Sequence, residues 1–136
     1  MDSIQLLDAA KKARQNAYAP YSGFKVGAAI LTENGEIYTG CNVENVSYGL
    51  TQCAERVAVG KAVSEGASGI RAVALAAEPG AGAAPCGACR QVLAEFNPGM
   101  IVITEDKEGG LRKRSLADLF PDPFLPSALK RNGVRK

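Results

Sequence analysis

The sequence predicts an α/β domain, a mixed sheet with helices on both faces, and three observations carry that expectation. Ile4, Leu7, Ala10 and Ala13/Ala17 recur at helical spacing with lysines between them. Asn34-Gly35 separates two apolar runs, as a tight hairpin turn does. Ile70 to Ala77 is a continuous apolar run of strand length, the pattern of a strand buried on both sides.

The elements follow in order. Residues 4–17 form the first helix, ended by Ala19-Pro20-Tyr21-Ser22-Gly23. Phe24 to Leu31 and Glu36 to Asn42 are the hairpin strands. Cys53 to about Val63 is a helix stopped near Gly66. The run from Ile70 is the next strand, and a loop from Glu78 to Pro85 delivers Cys86. Gly87 to Phe96 is helical until Asn97-Pro98-Gly99 breaks it. Met100 to Thr104 is a strand, Leu111 to Arg114 a candidate last one, and Ser115 to Asp118 resembles a capped helix start. Pro121, Pro123 and Pro126 forbid long regular structure after it. Helix, hairpin, helix, strand, helix, strand, strand is the order of a layered α/β domain.

Length and composition bound the function. The chain has 136 residues, enough for one domain with a real core. No stretch is long and apolar enough for a membrane span. Met1-Asp2-Ser3 lacks the basic region of a secretory signal, so a cytoplasmic protein with reduced cysteines is expected. The formal charge is +2, but Lys130, Arg131, Arg135 and Lys136 supply four of the sixteen basic residues. Without them twelve basic residues face fourteen acidic ones, and a slightly acidic body does not suit nucleic acid. The expected organisation is a single catalytic domain over 1–129 and a basic, flexible tail over 130–136.

The chemistry lies in Cys53-Ala54-Glu55 and Pro85-Cys86-Gly87-Ala88-Cys89. A catalytic zinc takes three protein ligands and leaves one position open. The chain has no histidine, so Cys53, Cys86 and Cys89 must all bind as thiolates. Each cysteine falls at the start of a predicted helix, where unpaired N–H groups and the helix dipole favour the thiolate. Cys86 and Cys89 are one turn apart and can face one ion. Glu55, two residues past Cys53, points elsewhere and is placed for proton transfer rather than ligation. Two other readings compete. A structural zinc site normally closes with a fourth ligand, and Cys41 is the only other cysteine. A redox dithiol would not need Cys53-Ala54-Glu55. Cys41 itself reads as a buried strand residue.

The spacing is the known signature of zinc-dependent base deaminases, and nearly the whole chain resembles the small homotetrameric cytidine deaminases. Tyr18-Ala19-Pro20-Tyr21-Ser22, Phe24-Lys25-Val26-Gly27-Ala28-Ala29, Asn42-Val43-Glu44-Asn45, Cys53-Ala54-Glu55-Arg56 and Pro85-Cys86-Gly87-Ala88-Cys89-Arg90-Gln91 carry the likeness. It implies a three-layer α/β/α fold with a five-stranded mixed sheet and one zinc per subunit. It implies that Asn42 and Glu44 hold the ribose hydroxyls, that Phe24 packs against the nucleoside, and that Ala54 lies in the substrate site. Read locally, Asn42 and Glu44 would be turn and surface residues and Phe24 a core residue. An aromatic at the place of Phe124 closes a neighbouring subunit's pocket in the family, and the loop around Ser47-Tyr48 reaches a neighbour. A homotetramer with shared active sites is therefore expected.

Arg56 has a physical argument of its own. Three thiolates and Zn²⁺ sum to −1, which would hold a water proton tightly; a guanidinium beside the sulfurs restores acidity. Read locally it would be an exposed helix arginine; the resemblance supports the thiolate contact, with Arg90 a second candidate for it. The expected reaction is hydrolytic deamination of free cytidine and deoxycytidine, a step of pyrimidine salvage. Glu55 takes a proton from the attacking water, delivers one to N3, and protonates the departing amine. Other expectations are deamination of blasticidin S or a related nucleoside, editing of a polynucleotide, or a non-catalytic zinc-stabilised module. The acidic body argues against the second and the intact Glu55 against the third.

Overall fold

The computed structural model describes residues 1–129, so the basic tail over 130–136 lies outside the described residues. Helix α1 runs Ser3–Arg14, with the Asp2 side chain accepting from Gln5 N–H at its start. It stops three residues short of the expected end. Gln15, Asn16 and Ala17 continue it only as a tightened tail, bonding back to Lys12, Ala13 and Arg14.

Strands β1 (Gly27–Thr32) and β2 (Ile37–Cys41) form the expected hairpin. Gly35 takes φ 86° in its turn, a conformation glycine adopts without strain. Helix α2 is Ala54–Ser64, β3 is Ile70–Ala76 and α3 is Gly87–Phe96. Strands β4 (Ile101–Glu105) and β5 (Leu111–Ser115) follow, then a short α4, Leu116–Leu119, capped by the Ser115 side chain. Two 3-10 turns, Tyr48–Leu50 and Pro126–Leu129, complete the described chain.

The sheet order is β2-β1-β3-β4-β5. Only β3 and β4 pair in parallel, joined by the crossover through α3. The strand period of two sorts the core into two layers. Ala28, Ile30, Val73, Leu75 and Val102 face α2 and α3, where Ala58, Ala62 and Leu93 meet them. Ala29, Ala72, Ala74, Ala76 and Ile103 face the opposite way, onto Leu6, Leu7 and Ala10 of α1. The five-stranded, three-layer α/β/α arrangement is the one the sequence implied.

Close approach positions the working helix. At Gly40 an added Cβ would lie 2.6 Å from the Ala58 nitrogen and 2.8 Å from the Ala54 carbonyl oxygen. The absence of a side chain on β2 therefore lets the first turn of α2 sit directly on the sheet. No helix among the described residues is long and apolar enough to cross a membrane.

Candidate active site

Two helix starts converge beside the end of β3. Cys53 is the N-cap of α2 and Cys86 the N-cap of α3, with Cys89 in the first turn of α3. Their three sulfurs lie within 4.8 Å of one another. Cys89 is fully buried, Cys53 half-buried and Cys86 exposed, so the cluster opens to one side. Cys41 is half-buried in β2 rather than fully buried, and stands outside the cluster.

The electrostatics of this cluster call for a cation. The Cys89 thiol bonds to Cys53 and, with Arg56, draws the Cys53 pKa down to about 5 against the opposing effect of burial. The same bond and burial push Cys89 upward. The lowering at Cys53 thus comes from Cys89 and Arg56 rather than from its N-cap position, and Cys89 moves against the expectation drawn from its helix start. Three sulfurs this close ionise together only around a positive ion. Three soft donors, an open side and no histidine suit zinc with one position left free.

Glu55 stands beside the sulfurs and is only 5 % exposed. Burial is the main cause that raises its pKa, and the neighbouring Cys53 adds to it. Arg56, next along α2, donates Nη2–H to Cys53 Sγ at 3.7 Å and to the Thr51 carbonyl at 3.4 Å. Arg90 does not share that contact. Its Nε donates to the Pro85 carbonyl at 2.8 Å and its Nη1 to the Leu119 carbonyl at 2.6 Å, so it braces the backbone before Cys86 instead.

A cavity of about 330 Å³ opens over this chemistry, lined by Phe24, Asn42, Glu44, Cys53, Ala54, Glu55 and Cys86 among others. Asn42 stitches its wall together. Nδ2 donates to the Phe24 carbonyl and Oδ1 accepts from Val26 N–H, both at 2.9 Å. The Val26 carbonyl still accepts from Asn42 backbone N–H at 3.2 Å, but the Val26 N–H and the Phe24 carbonyl go to the side chain, so β1 begins at Gly27 and not at Phe24. Glu44 accepts from Tyr21 N–H at 2.9 Å, from Ser22 N–H at 3.1 Å and from the Ser22 hydroxyl. The Ser22 hydroxyl is the main reason its carboxyl lies below the usual range.

Sequence reasoning assigned no role to Ser22, Thr51 or the 82–84 loop, all of which line this cavity. Ser22 lay within a motif that carried the resemblance; the loop had no signal beyond small residues. Phe124 is absent from the lining and 60 % exposed. Tyr48 is exposed too, its ring centroid 6.0 Å from that of Tyr21.

The chain is similar to known proteins over most of its length. The family described as the cytidine and deoxycytidylate deaminase zinc-binding region matches residues 2–105. A cytidine deaminase of Sporosarcina psychrophila is 49% identical over 125 residues, 91% of this chain and 92% of that protein. One from Mycobacterium tuberculosis is 50% identical over 117 residues, 85% of this chain and 84% of that protein. The crystal structure of cytidine deaminase from Burkholderia pseudomallei superposes with a TM-score of 0.85 at 48% identity, covering 91% of this chain and 100% of that one. The matched span contains Glu55 and all three clustered cysteines, and the chain belongs to the cytidine and deoxycytidylate deaminase family.

Proposed function

We propose that this chain hydrolyses the exocyclic amine of free cytidine and deoxycytidine, giving uridine or deoxyuridine and ammonia for pyrimidine salvage. The observation that carries the proposal is a buried carboxyl, Glu55, beside a three-sulfur cluster inside a cavity rimmed by Asn42 and Glu44. Cys53, Cys86 and Cys89 would hold one zinc per subunit. Bound there, zinc supplies Lewis acidity, bringing the pKa of a water toward neutrality.

The protein's own groups do the rest. Glu55 takes a proton from the attacking water and gives it to N3 of the cytosine; it then takes the second proton, from the hydroxyl now on C4, and passes it to the amine, which leaves as ammonia as the C4–N bond breaks. A carboxyl raised by burial is suited to this, because it both accepts and releases protons nearer neutral pH. Arg56 withdraws charge from Cys53 and so offsets the excess negative charge of an all-thiolate site. Glu44 uses three of about four acceptor directions on the chain itself, leaving one for a sugar hydroxyl. Asn42 retains one N–H and one lone pair beyond its two backbone bonds. Phe24 and Ala54 offer apolar surface to the base and sugar.

The same reading makes the enzyme a cytoplasmic homotetramer with active sites shared between subunits. Phe124, exposed on its own chain, would cover a neighbour's cavity, and the exposed Val46, Tyr48 and Leu50 would be buried by other copies.

Ammonia release from cytidine, deoxycytidine, blasticidin S and single-stranded DNA, measured side by side, tests the proposal. Turnover of the two nucleosides with little on the others is expected; preference for blasticidin S or DNA overturns it. Sedimentation of the active species tests the assembly, and an active monomer rejects it.

A further inference from the structure

A second concavity, of about 230 Å³, lies behind the loop that delivers Cys86. Residues 81–84 form one side and Asp106, Lys107, Arg112 and Arg114 the other. The strand register explains why two arginines turn the same way. Arg112 pairs with Thr104 and Arg114 with Val102, and Val102 faces the core beneath α2 and α3. Both side chains therefore stand on the inner face of the edge strand, where apolar residues would be the ordinary choice.

Neither arginine forms an ion pair among the described residues. Arg114 Nε and one Nη are buried and lack a hydrogen-bond partner among the described residues. Burial, followed by the nearby charges of Arg112 and Arg90, makes the guanidinium harder to keep charged. Among the described residues the one salt bridge joins Lys11 to Glu105, away from this group. Among the described residues Asp106 is the only acid in the wall, and its Oδ1 already accepts from Glu108 N–H at 2.9 Å and Gly110 N–H at 2.8 Å. Unpartnered buried guanidinium donors are costly. A planar fork of N–H groups backed by further cations suits an oxyanion with several acceptor oxygens.

We propose that this niche binds phosphate, either free or as a monoester, through Arg114 and Arg112. Gly82, Ala83 and Ala84 line both this niche and the cavity over Glu55. Phosphate behind that shared wall would fix it and so change how tightly a nucleoside is held. The binding stands independently of the proposed reaction; only the effect on nucleoside affinity rests on that reading.

The test is calorimetric titration of the full-length, zinc-loaded protein at low ionic strength. One arm uses inorganic phosphate and a second uses ribose 5-phosphate, which separates the free anion from the ester. Saturable binding of one phosphate group per chain is expected in at least one arm. Arg114→Met and Arg112→Gln should each weaken it about tenfold or more, as loss of a charge-assisted contact does. Arg112 is exposed, so its variant keeps the test intact if Arg114→Met folds poorly. Exposed Arg71, on β3, serves as the control, and Arg71→Gln should bind as wild type. Cytidine KM should respond to phosphate in the wild type and not in the two niche variants. No saturable heat up to about 10 mM of either ligand, a level corresponding to negligible affinity, overturns the proposal. So does binding unchanged in both niche variants. A shift in sedimentation on replacing either arginine, without phosphate binding in the wild type, would mean that the cations meet a second copy instead.

Discussion

The Gln91 carboxamide bonds to both polar groups of Phe124: Nε2 donates to its carbonyl at 2.6 Å, and Oε1 accepts from its N–H at 3.2 Å. Arg90, the preceding residue, holds the Leu119 carbonyl. Two consecutive residues of α3, directly after Cys89, thus tether the proline-rich segment to the sulfur-bearing helix. Gln91→Ala should speed hydrogen exchange at the Phe124 amide by about fivefold, the equivalent of one modest hydrogen bond. Zinc content should not change, because no sulfur contact is lost. Unaltered exchange would show that the segment is held by packing alone.

The seam at Gly40 makes a second prediction. A methyl group there meets backbone atoms of Ala54 and Ala58, which cannot swing aside as a side chain would. Gly40→Ala should cost about 1–3 kcal/mol of stability by overpacking. Because the displaced turn carries Glu55, turnover should fall as well, in protein that still folds. Denaturant unfolding at wild-type stability would mean that β2 and α2 can separate cheaply.

How much of this was legible beforehand depended on whether the signal was local. Cys53, Glu55, Cys86 and Cys89 were readable because each helix start sets its donor within a few residues. The hairpin was readable from Asn34-Gly35. The end of α1 was not: Ala13 and Ala17 keep the helical spacing, while the hydrogen bonds have already tightened to the shorter repeat. Nor was the start of β1, where Asn42, distant in sequence, takes over the pairing of Phe24 and Val26. Arg56 was the first candidate for the sulfurs and Arg90 a weaker second. Only the fold shows that Arg90 is drawn to the Pro85 and Leu119 carbonyls. The inward turn of Arg112 and Arg114 likewise depends on sheet register.

Glu44 should titrate below the ordinary carboxylate value of 4.5, chiefly because the Ser22 hydroxyl bonds to its charged form. For a carboxyl lowered in the folded state, the associated stabilisation is present above 4.5 and is lost as pH falls through the folded value. Ser22→Ala should move the midpoint back up, as followed by NMR of the side-chain carboxyl. The Glu44 carboxylate would then lose its charge at a higher pH than in the wild type. An unmoved midpoint would assign the shift to the backbone N–H groups of Tyr21 and Ser22 alone.

Glu55 separates the catalytic reading from a purely structural metal site. Glu55→Ala removes the proton carrier and none of the clustered sulfurs. Zinc content, assembly and melting temperature should stay near wild type, and cytidine should still bind through Phe24, Asn42 and Glu44. Turnover should fall by at least about 10²–10⁴-fold, the usual contribution of general acid–base catalysis. A larger loss is reasonable, because in the proposed mechanism one carboxyl serves the water, N3 and the departing amine in turn. Cys53→Ala should differ in kind, losing zinc, stability and activity together, since metal binding and folding are coupled. Metal analysis alongside single-turnover kinetics distinguishes the two. If Glu55→Ala kept more than about a tenth of the wild-type rate, far above that range, another group would have to move the proton. If it lost zinc with its activity, the carboxylate would be a ligand and not a base.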